Sequence, residues 1–80
     1  MPTYELFHAI GDPGSARART FVVDYSLEGT VRFRNVFYPE VQADLRDRGG
    51  DSAPALWDGT RLVTGDAAVI AALRVLAGVA

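Results

Sequence analysis

Two stretches with the alternation of β-strands flank a helical segment at the start of this chain, and that opening limits the fold more than any other feature. "TYELFHA", Thr3 to Ala9, alternates and is rich in strand formers. Gly11 and Pro13 close it. A helix is predicted from Pro13 to Tyr25, with Ala16, Phe21 and Val22 among its apolar positions, and Glu28-Gly29 ends the loop that follows. "VRFRNVFY" then alternates again, placing Val31 and Phe33 on one face and Arg32 and Arg34 on the other. A strand, a helix and a strand in this order make a parallel pair joined by a right-handed crossover. The charges on the second strand suit a sheet edge, where they discourage pairing with another chain.

Pro39 breaks the second strand. "PEVQADLRDRGG" reads as a short helix with Val41 and Leu45 at helical spacing and Gly49-Gly50 at its end. "APALWDGTRLVTG" holds two short apolar runs around Asp58-Gly59, a dipeptide that favours a tight type I′ hairpin turn because glycine tolerates positive φ. A last helix begins at Asp66, whose carboxylate is expected to cap the first-turn amides, and runs on through "AAVIAALRVLAGVA" to Ala80. The element order is β-α-β-α-β-β-α, and no repeat, linker or low-complexity segment interrupts residues 1–80. One α/β domain is expected.

Composition removes several function classes. The 80 residues include no cysteine, which excludes a disulfide framework, a thiolate nucleophile and a zinc–thiolate site. His8 is the sole imidazole and sits in an apolar strand pattern, so it is read as structural and no metal site is expected. All eight basic residues are arginine, and the net charge of −2 argues against a general affinity for nucleic acid. Arg32 and Arg34 are read as solvated strand residues. The start, "MPTYELFHAIGDPG", lacks the basic and apolar regions of a secretion signal, and the longest apolar run, Ala67 to Leu73, is too short to span a bilayer. A cytoplasmic protein without membrane association is the expectation.

"DPGSARARTFV" resembles the glutaredoxin and glutathione transferase segment C-P-x-C-x-R-V-R-x-x-L, with Asp12 at the first Cys position, Pro13 retained, Ser15 at the second, and Arg17 and Arg19 matching the basic pair. "GTVRFRNVFY" is similar to the family's second strand, and "SAPALWDGTRLVTGDAAVIAAL" to its V-P-x-L-x-x-G-x-x-L-x-E-S-x-A-I-x-x-Y-L segment. The resemblance covers nearly the whole chain through the order and spacing of degenerate motifs. It implies a thioredoxin-like fold of glutaredoxin size, with a four-stranded mixed sheet and three helices.

The resemblance also implies a site. Ala53-Pro54 matches the family's cis-proline, where the main chain of the preceding residue pairs with the cysteinyl part of glutathione. Gly65-Asp66 matches the E-S pair that receives the γ-glutamyl carboxylate, so here a negative side chain stands where a carboxylate docks, above helix amides that attract anions. Asp12, Ser15, Ala53, Pro54, Gly65 and Asp66 thus form the candidate glutathione site, glutathione being the one candidate ligand and no cofactor being expected. Asp12 cannot form a disulfide, which excludes thiol–disulfide exchange by this chain. Two plain structural roles stand beside the chemical ones: Asp12 as helix N-cap and Pro13 at the first helical position. Ser15 lacks a visible neighbouring base and would act, if at all, as a hydrogen-bond donor to bound sulfur. Trp57, beside the hairpin turn, is read as core, with a partner surface as its alternative.

The expected function is ligand binding or protein interaction by a domain without redox thiols. The alternative is a glutathione transferase-type enzyme using Ser15 or backbone amides, with its second domain supplied by a partner chain. In the last helix, Val69, Ile70, Leu73, Leu76 and Ala77 form the expected core stripe. Ala68, Ala72, Val75 and Val79 lie along its flank, more apolar surface than packing on a sheet requires. A homodimer or a helical partner through this helix is therefore expected.

Overall fold

The computed structural model describes residues 4–79; Met1 to Thr3 and Ala80 lie outside the described residues, and with them the ends of the first strand and last helix as expected above. The chain forms β1 (Tyr4–His8), α1 (Pro13–Asp24), β2 (Val31–Asn35), α2 (Pro39–Asp47), β3 (Ala55–Trp57), β4 (Leu62–Thr64) and α3 (Asp66–Ala77). The four strands make one mixed sheet in the order β2-β1-β3-β4. β1 and β2 are parallel, with Leu6 beside Phe33; β1 and β3 are antiparallel, with Leu6 beside Leu56, as are β3 and β4. This is the architecture of a small thioredoxin-like α/β fold.

Period-two alternation divides the apolar residues between the two faces of the sheet. Leu6, Val31 and Leu56 face α1 and α3 and pack with Ala18, Val22, Val69 and Leu73. Phe7 and Ala55 face the other way, against Val41 and Leu45 of α2. In α1 the buried stripe is Ser15, Ala18 and Val22, spaced three and four residues apart. Ala16, expected among the apolar positions, is exposed, because it lies off that stripe. In α3, Val69 and Leu73 are buried, Ile70, Leu76 and Ala77 are half-buried, and Ala72, expected on the flank, also packs on the core. The helix stops at Ala77 because Gly78 turns left-handed, with φ +76°, so Val79 lies beyond it and its amide bonds the Arg74 carbonyl.

Three further expectations are corrected. β2 ends at Asn35, three residues before Tyr38, since the Asn35 side-chain oxygen takes the Phe37 amide at 2.9 Å and turns the chain. The β3–β4 connection has four residues instead of a two-residue type I′ turn. There the Asp58 carboxylate accepts the Thr60 and Arg61 amides at 2.8 and 2.7 Å, and the Asp58 amide bonds the Arg61 carbonyl. Arg34 is not solvated: its side chain is 12% exposed and it pairs with Glu5 and Asp44 beneath α2. Glycine is needed at Gly50, where a Cβ would stand 2.6 Å from both Leu45 and Leu62 side-chain carbons.

Candidate functional site

The loop leaving β1 is tied down before α1 begins. Gly11 adopts φ +89°, and Asp12, extended at φ −90° and ψ 121°, receives the Ser15 amide on its carboxylate at 2.8 Å. Pro13 takes the first helical position, where its missing amide leaves nothing unpaired. The Ser15 amide holds the Asp12 carboxyl below the usual carboxylate range, helped by the Ser15 hydroxyl and by the charges of Arg17 and Arg19. Asp12 is thus the N-cap, as the sequence suggests. The Ser15 hydroxyl is fully buried and accepts the Ala9 amide at 3.0 Å, linking the end of β1 to α1.

His8 is likewise committed. It is 6% exposed, its Nδ1 lies 3.0 Å from an Arg19 guanidinium nitrogen, and its ring meets that of Phe33 edge-on at 5.4 Å. Arg19 always carries its proton and donates, so Nδ1 accepts. Burial and the Arg19 charge both lower the His8 pKa. The imidazole is neutral and structural.

The three segments of the candidate site converge. The Ala53–Pro54 peptide bond is cis, and the Pro54 carbonyl accepts the Gly65 amide at 3.2 Å. Gly65, at φ +94°, is the N-cap of α3 but has no side chain to cap with. Asp66 does not cap either, contrary to expectation. It occupies the first helical position, and its carboxylate reaches across to Arg17 at 2.7 Å. There it lies over Gly14, where a Cβ would come within 2.1 Å of its oxygen. The Asp66 carboxylate therefore occupies the space between the starts of α1 and α3, with Arg17 as its counter-ion.

On the other side of Ala53–Pro54 the surface is mixed. Val36, Leu45 and Ala53, with the polar Gln42, Arg46, Asp51 and Ser52, border a cavity of about 200 Å³, and Val36 joins it to a second, more apolar one of about 420 Å³, bordered by Ala9, Ile10, Asn35 and Phe37. Ile10 is 69% exposed and Phe37 77% exposed, with Tyr38 meeting Phe37 edge-on at 5.7 Å. The sequence reading missed this lip by extending β2 to Tyr38. The signal was present in Asn35 and Pro39, which bracket a turn. Trp57 is half-buried against the Phe7, Val41, Leu45 and Ala55 cluster, with the Arg48 guanidinium 5.1 Å from its ring centre.

Among the described residues there is no group of three or more His, Asp or Glu side chains placed to hold a metal ion, and no helix is long and apolar enough to cross a membrane. Comparison of the chain with protein-family models, with curated proteins and with solved structures found no match.

Proposed function

We propose that this chain is a binding domain of the glutaredoxin and glutathione transferase type that has no thiol chemistry and takes its ligand, a protein segment, on the lip formed by Ile10, Val36, Phe37 and Ala53. One observation carries the proposal: two large apolar side chains, Ile10 and Phe37, stand in water at a cavity that Val36 joins to the one bordered by Ala53. Exposed apolar groups gathered at one concave edge mark interaction sites, whereas isolated ones need no explanation. Glutathione is the small-molecule candidate for the neighbouring site between Ala53 and the starts of α1 and α3. Its γ-glutamyl carboxylate would have to displace Asp66, already neutralised by Arg17, and Asp12 adds a second negative charge, so weak binding is expected. The transferase alternative finds less support, because the Ser15 hydroxyl is buried and bonded to Ala9.

The test is a ¹⁵N-HSQC titration with reduced glutathione, followed by selection of a random peptide library on the protein. Glutathione should give no saturating shifts in the micromolar range, and Asp66→Ser should strengthen its binding. Selected peptides should move the amides of Ile10, Phe37 and Ala53. Micromolar glutathione affinity would instead favour the enzyme. A protein partner at α3 belongs to the same proposal: Val75 is 68% exposed, with Ala68 and Val79 also in water. Sedimentation equilibrium of the native chain and of Val75→Glu decides whether that partner is a second copy.

A further inference from the structure

The two edges of the sheet differ in what they leave open. β4, at one edge, has three residues; β2, at the other, has five and no strand beside it among the described residues. The Thr30 carbonyl accepts the Tyr4 amide and the Val36 amide bonds the His8 carbonyl, so the even-numbered residues of this strand turn their backbone groups toward β1. Val31, Phe33 and Asn35 turn theirs outward. The Val31 amide is taken by the Leu27 carbonyl and the Asn35 carbonyl by the Tyr38 amide, which leaves the Val31 carbonyl, both groups of Phe33 and the Asn35 amide. These four are correctly spaced to bond one more strand.

The two faces of that edge have different chemistry. On the α2 face Arg34 is consumed by Glu5 and Asp44, while Arg32 is exposed and makes no ion pair among the described residues. On the α1 face Phe33 and Val23, 39% and 52% exposed, border a cavity of about 340 Å³ with Arg19, Thr20 and Asp24. A second copy of the chain is a poor occupant. Antiparallel pairing centred on Phe33 sets Arg32 opposite an Arg34 of the second copy whose carboxylate partners are already engaged, so no free counter-charge meets it, and a shift of two residues sets Arg32 opposite Arg32. Like charges directly opposed destabilise a ladder.

We infer that the β2 edge is a strand-addition site for an extended segment of another protein that alternates acidic and apolar side chains. The acidic side chains meet Arg32, the apolar ones cover Phe33 and Val23, and the main chain bonds the outward groups of Val31, Phe33 and Asn35. The edge is therefore closed to its own copies by charge and open to a partner of opposite charge. It is a different surface from the Ile10–Phe37 lip and stands or falls separately from it.

The probes are two end-blocked seven-residue peptides, one alternating glutamate with valine and one alternating lysine with valine, titrated into the ¹⁵N-labelled full chain. The glutamate peptide should bind, shift the amides along β2 and slow hydrogen exchange at Phe33 and Asn35. Arg32→Glu should weaken it about tenfold and transfer the preference to the lysine peptide. Val23→Glu, which leaves β2 untouched, should also weaken the glutamate peptide. The inference is overturned if neither peptide binds, if both bind equally, if Phe33 and Asn35 gain no protection, or if the shifts map to the Ile10–Phe37 lip.

Discussion

The two faces of the sheet are built on opposite plans. Toward α1 and α3 the wall is built from the hydrocarbon of Leu6, Val31, Leu56, Ala18, Val22, Val69 and Leu73, with the hydrogen-bonded Ser15 and His8 as its buried polar groups. Toward α2 the apolar patch of Phe7, Val41, Leu45 and Ala55 is bordered by ions: Glu5 joins Arg34 to Arg48, Arg34 also holds Asp44, and Arg48 lies over the Phe7 and Trp57 rings. Helix length explains the contrast. α1 and α3 have twelve residues each, but α2 has nine and buries only Val41 and Leu45. Such a helix cannot roof a whole sheet face, and the remaining strip near Glu5 is closed by long side chains whose stems are apolar and whose heads are paired. Burial of hydrocarbon scales with area removed from water, whereas a partly buried ion pair returns little beyond its own desolvation cost. The first wall therefore supplies most of the stability, and the second positions α2.

The largest effect should come from the hydrocarbon wall. Leu73→Ala removes a fully buried side chain and should cost about 3–4 kcal/mol, a large part of the stability of a domain this size. Leu45→Ala, 4% exposed at the rim of the other wall, should cost about 2 kcal/mol. Urea unfolding of both variants measures the difference, and equal losses would break the contrast. The ionic wall is sharpened by Glu5→Gln, which leaves Arg48 without its carboxylate and Arg34 with only Asp44. The expected loss is roughly 1–3 kcal/mol, given that these side chains are 12–24% exposed. Replacing Glu5, Arg34 and Arg48 together by leucine should be less harmful than Glu5→Gln alone, because no unmatched charge is then left over Phe7 and Asp44 is 43% exposed to water.

The hydrocarbon wall was largely legible in the sequence, and the ionic one was not. Helical spacing placed Val69 and Leu73 in the first wall and picked out the apolar pair Val41 and Leu45 of the second, and strand alternation assigned Val31 and Arg34 to opposite faces, but nothing in the spacing showed the ions around that pair. Alternation says which face a residue takes but not how far a helix reaches across that face, so Arg34 read as solvated when α2 and Glu5 in fact enclose it. The site was legible in the same uneven way. Asp12 and Pro13 show their capping roles locally, since the Ser15 amide that Asp12 binds is three residues away. Asp66 read as a cap for the same local reason, yet its partner Arg17 is 49 residues distant, and only the packing of α1 on α3 brings them together. The exposed Phe37 was concealed by a strand pattern that outlasts the strand.

A smaller effect is expected where the hydrocarbon wall depends on a polar cap. Asp12→Ala frees the Ser15 amide at the start of α1 and should lower the melting temperature by on the order of 5 °C. Asp12→Asn keeps an acceptor and should lose less. The Asp12 carboxyl is depressed in the folded state, chiefly by the Ser15 amide, so its contribution is complete above the ordinary value of 3.8 and lost as pH falls through the folded one. Melting curves of the native chain and Asp12→Ala should accordingly converge in strong acid. A gap that persists there would place the effect in helix propensity instead of the cap.

The smallest effect belongs to His8, the one polar ring buried at the margin of the hydrocarbon wall. Burial first, and the Arg19 charge second, lower its pKa from the ordinary 6.5. The unfolded chain therefore takes up a proton near pH 6.5 that the folded chain refuses, and stability must fall as pH drops from about 7 toward the folded value. One proton limits that slope to about 1.4 kcal/mol per pH unit. With a single histidine and no cysteine, no other side chain has an ordinary pKa in this window, so the slope reports on His8. Urea midpoints of the native chain at pH 7.5, 6.5 and 5.5 should decline, and His8→Gln should flatten the series, although glutamine lacks the ring that meets Phe33. Stability that rises on acidification would mean that the imidazolium is the favoured form. Arg19 could not then lie 3.0 Å from Nδ1, and the surroundings of the ring between β1, α1 and Phe33 would have to supply a carboxylate or water as its partner.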